Sequence, residues 1–205
     1  MYSRLPSLVI GFHGCELSTF REVFCDGGNL NPSVNDYDWL GNGIYFWEQN
    51  YERALQWAKE QAARGRIKTP AVIGAIIDLG YCLNLTDSHY IGLLKNEYKI
   101  MKEEFELLEI EMPRNLGKTD DHLLRKLECA VIEHLHDRME RRRREGRAEG
   151  VEPFDSARGL FSEGERIYPG AGIREKTYVQ ICVRNPNCIK GYFSPRQACD
   201  EWRMP

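Results

Sequence analysis

Short apolar runs closed by glycine mark the first eighty residues. LVIGF (8–12) stops at His13-Gly14, IYFW (44–47) follows Gly41-Asn42-Gly43, and AVIGAIIDL (71–79) stops at Gly80. Continuous runs of this length, rich in β-branched and aromatic residues, predict buried strands rather than strands with one wet face. Between the first two, Thr19–Cys25 is long enough for a helical turn, and GGNLNPSVNDYDWLGN is dense in turn formers and predicts a long loop. Asn50 then caps an amphipathic helix running to about Gly65, with Ala54, Leu55, Trp57, Ala58 and Ala62 on adjoining faces.

Beyond a short LNLTD segment the period changes. Residues 88–111 and 119–149 carry apolar positions at three- and four-residue spacing, including Leu123, Leu124, Leu127, Val131, Ile132 and Leu135, which predicts a helical insertion over about 88–150. Strands return at Arg158–Phe161 and Tyr178–Arg184, and a tight NPN turn leads into a last strand, Cys188–Phe193. The pattern is that of an α+β fold.

Composition narrows this picture. At 205 residues the chain suits one large domain, here 1–205, and 42% hydrophobic residues supply a core. A net charge of −3 excludes a generally basic nucleic-acid binder, though not a local basic groove. The seven cysteines, an odd number without a C-x-x-C pair, argue against a disulfide framework or a zinc ribbon. In runs such as YVQICV they read as small buried hydrophobes. Neither a signal peptide nor a membrane-spanning run is apparent, so a soluble cytoplasmic protein is expected.

Chemistry concentrates at the two glycine-marked strand ends. His13 ends one strand beside Gly14, and Tyr45 follows the Gly41-Asn42-Gly43 segment. An imidazole can hydrogen-bond a ribose hydroxyl, a glycine lets backbone approach an amide edge, and a tyrosine ring can stack on a cationic heterocycle. That is a nicotinamide pocket in outline; the plain alternative makes His13 a structural strand-end residue and Tyr45 a core aromatic. His134 and His136, two apart on a predicted helix, point to different faces, and the five histidines form no ligand cluster, so no metal is expected.

FHGC, GNGIYF and the following RALQWA helix resemble the catalytic domain of the ADP-ribosyltransferases of the diphtheria-toxin and poly(ADP-ribose) polymerase type. The resemblance covers about the first sixty residues and the last strands. It implies split antiparallel sheets with NAD, the substrate, in the cleft between them. His13 would then contact the adenosine-side ribose, Gly14 the carboxamide, and Tyr45 the nicotinamide ring. The family's second stacking aromatic falls on Gln56; Trp57, one residue on and turned by roughly 100°, is the substitute or else a core residue.

The family's third motif is a glutamate on a late strand, and the matching TYVQICV has no acid. Gln180 is the best-placed polar residue there, either orienting a ribose hydroxyl or serving as a structural amide. Glu163 and Glu175, on the segment leading into this strand, are the alternates. A neutral amide can orient a hydroxyl but supplies no negative charge. The resemblance implies a mono-ADP-ribosyltransferase acting on a protein or nucleic-acid acceptor, as a toxin or phage-defence effector held in check by an inhibitory antitoxin protein. A catalytically inactive ADP-ribose- or RNA-binding module and an NAD glycohydrolase are the alternatives.

The basic run Arg138–Arg147 reads first as a solvated helix end complementing the helix dipole, and otherwise as a contact for RNA or a partner protein. Arg64, Arg66 and Lys68 add a small basic cluster, and the acidic segment 97–111 is expected to face away.

Overall fold

The structure, a computed structural model, describes residues 8–117, 124–146 and 152–196. Positions 119–123 and 147–149 of the expected helices, Arg147 of the basic run and Cys199 lie outside the described residues.

Among the described residues, seven strands form one mixed sheet: β1 (Val9–Glu16), β2 (Ile44–Glu48), β3 (Pro70–Ile77), β4 (Cys82–Asn84), β5 (Ser156–Arg166), β6 (Arg174–Val183) and β7 (Ile189–Phe193). Their order is β4-β5-β6-β2-β1-β3-β7, with β4 parallel to β5 and the other pairs antiparallel. The helices are α1 (Leu17–Cys25), α2 (Tyr51–Ala63), α3 (Ser88–Leu107) and α4 (Lys126–Arg144). The architecture is mixed helix and sheet, as the periodicity predicts. A single hydrogen-bonded sheet stands where two were expected.

That sheet is nevertheless weakly joined at its centre. β1 pairs with β3 along its whole length, whereas β1 and β2 share only Gly11↔Glu48 and Phe12↔Trp47. Past Phe12 the ladder stops, and His13 Nδ1 donates to the Tyr45 carbonyl at 2.8 Å in place of a backbone bond. The cause is local: Gly11 lets β2 come close, since a Cβ there would lie 2.8 Å from Phe46 Cβ, and beyond it an imidazole fills the widening gap.

Alternation along the strands divides the core into two faces. Phe46, Ile73, Ile77, Ile181 and Val183 pack under α1 through Val23 and Phe20. On the other face, Leu40, Leu83, Ala157 and Cys182 meet Ile132, Leu135 and Met139 of α4, and Trp47, Val72, Phe161 and Tyr178 meet Ala54 of α2. α2 follows from its sequence: Asn50 Oδ1 accepts from Arg53 N at 3.0 Å, and Ala54 and Ala58, fully buried, bring the helix close to the sheet.

Three elements exceed their expected limits. The Thr19–Cys25 turn is a full helix capped by Glu16, whose side chain accepts from Leu17 N. β5 and β6 extend well beyond Arg158–Phe161 and Tyr178–Arg184, because cross-strand pairing carries polar positions such as Ser162 and Thr177 into the hairpin. The NPN turn is one turn of 3-10 helix, Pro186–Cys188, capped by Asn185.

The acidic segment 97–111 does not simply face away. Glu97 is fully buried against α4, accepting from Arg138 Nε at 2.8 Å and bonded to His134 Nδ1 at 2.7 Å. His134 Nε2 also meets Glu104 at 2.9 Å. Burying one helix face against a basic neighbour draws the facing carboxylates inward. At the far end of α4, Glu140 pairs with Arg143 and Arg144, as a solvated helix terminus would.

Candidate functional site

His13 points to the α1 face, where its ring lies 5.8 Å from Phe46. Burial lowers its pKa, with the bond to the Tyr45 carbonyl acting the other way. The imidazole is therefore neutral near pH 7, with the proton on Nδ1 and the lone pair on Nε2. A neutral Nε2 can accept from a hydroxyl.

Tyr45 points to the opposite face. Its hydroxyl donates to the Gly41 carbonyl at 2.8 Å and accepts from Leu40 N at 3.0 Å, while its ring packs into the apolar cluster under α4. Burial raises its pKa well above the ordinary phenol value. Gly14 faces α2 so closely that a Cβ would lie 2.4 Å from the Ala54 carbonyl oxygen and 3.2 Å from Trp57. We therefore expect Gly14→Ala to destabilise the protein by about 3 kcal/mol or more, because the clash is with backbone rather than a movable side chain. Denaturant midpoints measure it; a loss under about 1 kcal/mol would mean that α2 can slide away.

Trp57, Gln180 and Glu163 meet on this α2 face, around a residue that the sequence reading did not single out. Arg53, 6% exposed, sits with its guanidinium 5.6 Å from the Trp47 ring and 5.2 Å from the Tyr178 ring. Its Nη2 donates to Glu163 Oε1 at 2.6 Å, and the Tyr178 hydroxyl donates to the same oxygen at 2.9 Å. Trp57 lies 5.7 Å from Trp47. Gln180, 8% exposed, accepts from Trp39 Nε1 at 2.7 Å, and the Trp39 ring reaches Phe161 at 5.1 Å over Gly159, where any side chain would collide with it. Arg125 lies 4.7 Å from Phe161.

Register explains which acid joins. Gln180, Tyr178 and Lys176 alternate onto the α2 face of β6, and Glu163 is paired with Lys176, so it shares that face. Glu175, one residue away, is exposed on the other. The carboxylate on this face thus comes from the adjacent strand β5. Lys176 in turn bonds Glu60 at 2.9 Å, and Glu60 Oε2 lies 3.9 Å from Arg53 Nη1.

Donors outnumber acceptors here. Arg53 Nε, Arg53 Nη1 and Trp47 Nε1 are buried without a hydrogen-bond partner. Each unmade bond of this kind costs roughly 1–3 kcal/mol. Aromatic faces, clustered N–H donors and one carboxylate can together hold a planar ring and oxygen-rich groups beside a developing positive charge.

The signal for Arg53 was in the sequence. It shares the buried stripe of α2 with Ala54, Ala58 and Gln61, and a guanidinium on such a stripe needs a partner across the interface. The cysteines remain outside this chemistry: burial pushes the thiols of Cys15, Cys82, Cys129 and Cys188 up to about 11, so they stay protonated. Among the described residues no group of three or more His, Cys, Asp or Glu side chains could hold a metal ion, and no helix is long and apolar enough to cross a membrane.

Comparison with known proteins gives little to set beside this geometry. No family model matches the chain, and no solved structure matches it. It is similar to the uncharacterized protein MJ0359 of Methanocaldococcus jannaschii, 27% identical over 201 residues spanning 87% of this chain and 83% of that one.

Proposed function

We propose that the protein is an NAD-consuming mono-ADP-ribosyltransferase whose reaction centre is the aromatic-walled cluster of Arg53, Glu163 and Gln180. The carrying observation is the set of buried N–H groups on Arg53 and Trp47 without a hydrogen-bond partner beside a carboxylate. A site of this kind gains free energy when acceptor oxygens of a carboxamide or diphosphate arrive. Trp47 and Trp57 offer the stacking surface, because Tyr45 spends its hydroxyl and ring on the 40–41 loop and the α4 core.

In the proposed reaction the bond between nicotinamide and ribose breaks, its electron pair leaves with nicotinamide, and the acceptor's nucleophile bonds the sugar carbon. Glu163 stabilises the positive charge on the sugar and takes the nucleophile's proton. The Gln180 amide orients a ribose hydroxyl, while His13, on the α1 face of the sheet, ties β1 to the Tyr45 carbonyl rather than facing this cluster. The acceptor is a protein or nucleic acid, and a toxin or defence role goes with that class of reaction.

Labelled NAD incubated with the pure protein and a cell extract tests this reading. Label should appear in a macromolecule with release of free nicotinamide, and both should fall in Glu163→Gln. Nicotinamide release without macromolecular label would make the protein a glycohydrolase. Absence of both would remove the enzyme reading and leave a binding module.

A further inference from the structure

A groove of about 1100 Å³, with neither Arg53 nor Glu163 in its lining, opens between the second half of α4, the turn before β4 and the entry to β5. Its walls carry opposite charges, and each positive group has an acidic partner. Arg143 and Arg144 are held by Glu140, and Arg184 by Glu133 and the Asn42 carbonyl. Asp137 is exposed and makes no hydrogen bond or ion pair among the described residues. Asp78 accepts from Gly80 N at 3.1 Å and stands 4.0 Å from Lys190. Beside the exposed Arg143 and Arg144, the groove offers a visitor the carboxylate acceptors of Asp137 and Asp78.

His136 deepens that bias. It lines the groove, is 3% exposed, and donates from Nδ1 to the Ile132 carbonyl of its own helix at 2.7 Å, so Nε2 carries a lone pair. That Nε2 is buried without a partner. Burial, with the nearby Arg184 charge, lowers its pKa to about 4, so the lone pair persists at neutral pH. Beside it Phe154 backs Tyr81 in a stacked pair, 4.4 Å between centroids and 22° between planes, and Tyr81 is 36% exposed.

We propose that this groove is a binding site for a guanidinium group, seated against the Tyr81 ring with its N–H donors directed to Asp137, Asp78 and His136 Nε2. A guanidinium is planar, stacks on aromatic rings and presents five donors in several directions, which an ammonium does not. The site stands independently of NAD chemistry. A free alkylguanidine and an arginine side chain of a partner protein share this chemistry.

Calorimetric titration of the whole protein with agmatine, with a short arginine peptide amide and with its neutral citrulline counterpart tests the site. Both guanidines should bind, the citrulline peptide about 10-fold or more weaker, and Asp137→Asn should weaken the guanidines by roughly 5-fold. The nitrogen resonance of His136 Nε2 should move on binding. A peptide that binds tighter than agmatine assigns the source to a protein; agmatine equal or tighter assigns it to a small metabolite. Failure of both guanidines to bind, indifference to the citrulline exchange, or binding unchanged in Asp137→Asn overturns the proposal. So does adenosine monophosphate displacing the guanidines with an affinity that depends on Arg143.

Discussion

Glu163→Gln is expected to slow nicotinamide release from NAD by about 100- to 1,000-fold, the usual range for removing one charge-stabilising group from a site shielded from water. The substitution keeps side-chain volume and an oxygen that can still accept from Arg53 and Tyr178, so the fold should survive. Thermal unfolding run beside the rate measurement checks this. Glu175→Gln is the internal control: that carboxylate is exposed on the opposite face, and its loss should leave the rate within about twofold. Equal losses at the two positions, or full activity in Glu163→Gln, would take the negative charge of the reaction away from this cluster. Glu163→Ala would also cost stability, since it strands the Arg53 guanidinium in an apolar surround.

The second large effect concerns the α3–α4 pair. Glu97→Ala is expected to destabilise the protein by about 3–5 kcal/mol, because it leaves Arg138 and His134 without the buried carboxylate they share. For a chain of this size that lowers Tm by roughly 6–20 °C. Burial acts to raise the Glu97 pKa, but hydrogen bonds from Arg138 and His134 outweigh it and hold the carboxyl below the ordinary value of 4.5. A depressed folded-state pKa gives stability that is present above the unfolded value and lost as pH falls through the folded one. Denaturant midpoints of the native protein should therefore drop on acidification below about pH 5, and the Glu97→Gln variant should lack that component of the drop. A pH profile identical in the two proteins would remove Glu97 as its source. Replacing Glu97 and Arg138 together by Leu and Met should recover part of the loss.

Individual residues show how far the sequence could be read. Asn50 before RALQWA announced α2 because capping is a local interaction of a side chain with the next turn, and Asn50 does accept from Arg53 N. LVIGF and AVIGAIIDL announced strands, and they became the neighbouring strands β1 and β3, but not the fully buried ones expected, because Leu8, Ile10 and Ile76 are exposed. The partition of side chains between faces was less accessible. His13 and Tyr45 sit close through a backbone carbonyl while their side chains diverge to opposite faces, a matter of strand register. Glu163 and Glu175 looked equivalent in the sequence, and one register decided which of them meets Arg53.

The sequence by itself determined most of the helices and strands and the burial of cysteines in apolar runs. Periodicity, capping and burial preference act over a few neighbouring residues, so they leave their mark in the chain. Only the tertiary structure decided that β1 and β2 share just two paired positions before His13, that Glu163 rather than Glu175 meets Arg53, and that Arg53 is buried against Trp47 and Tyr178. Those outcomes depend on cross-strand register and on where α2 lies against the sheet, which join residues far apart in the chain.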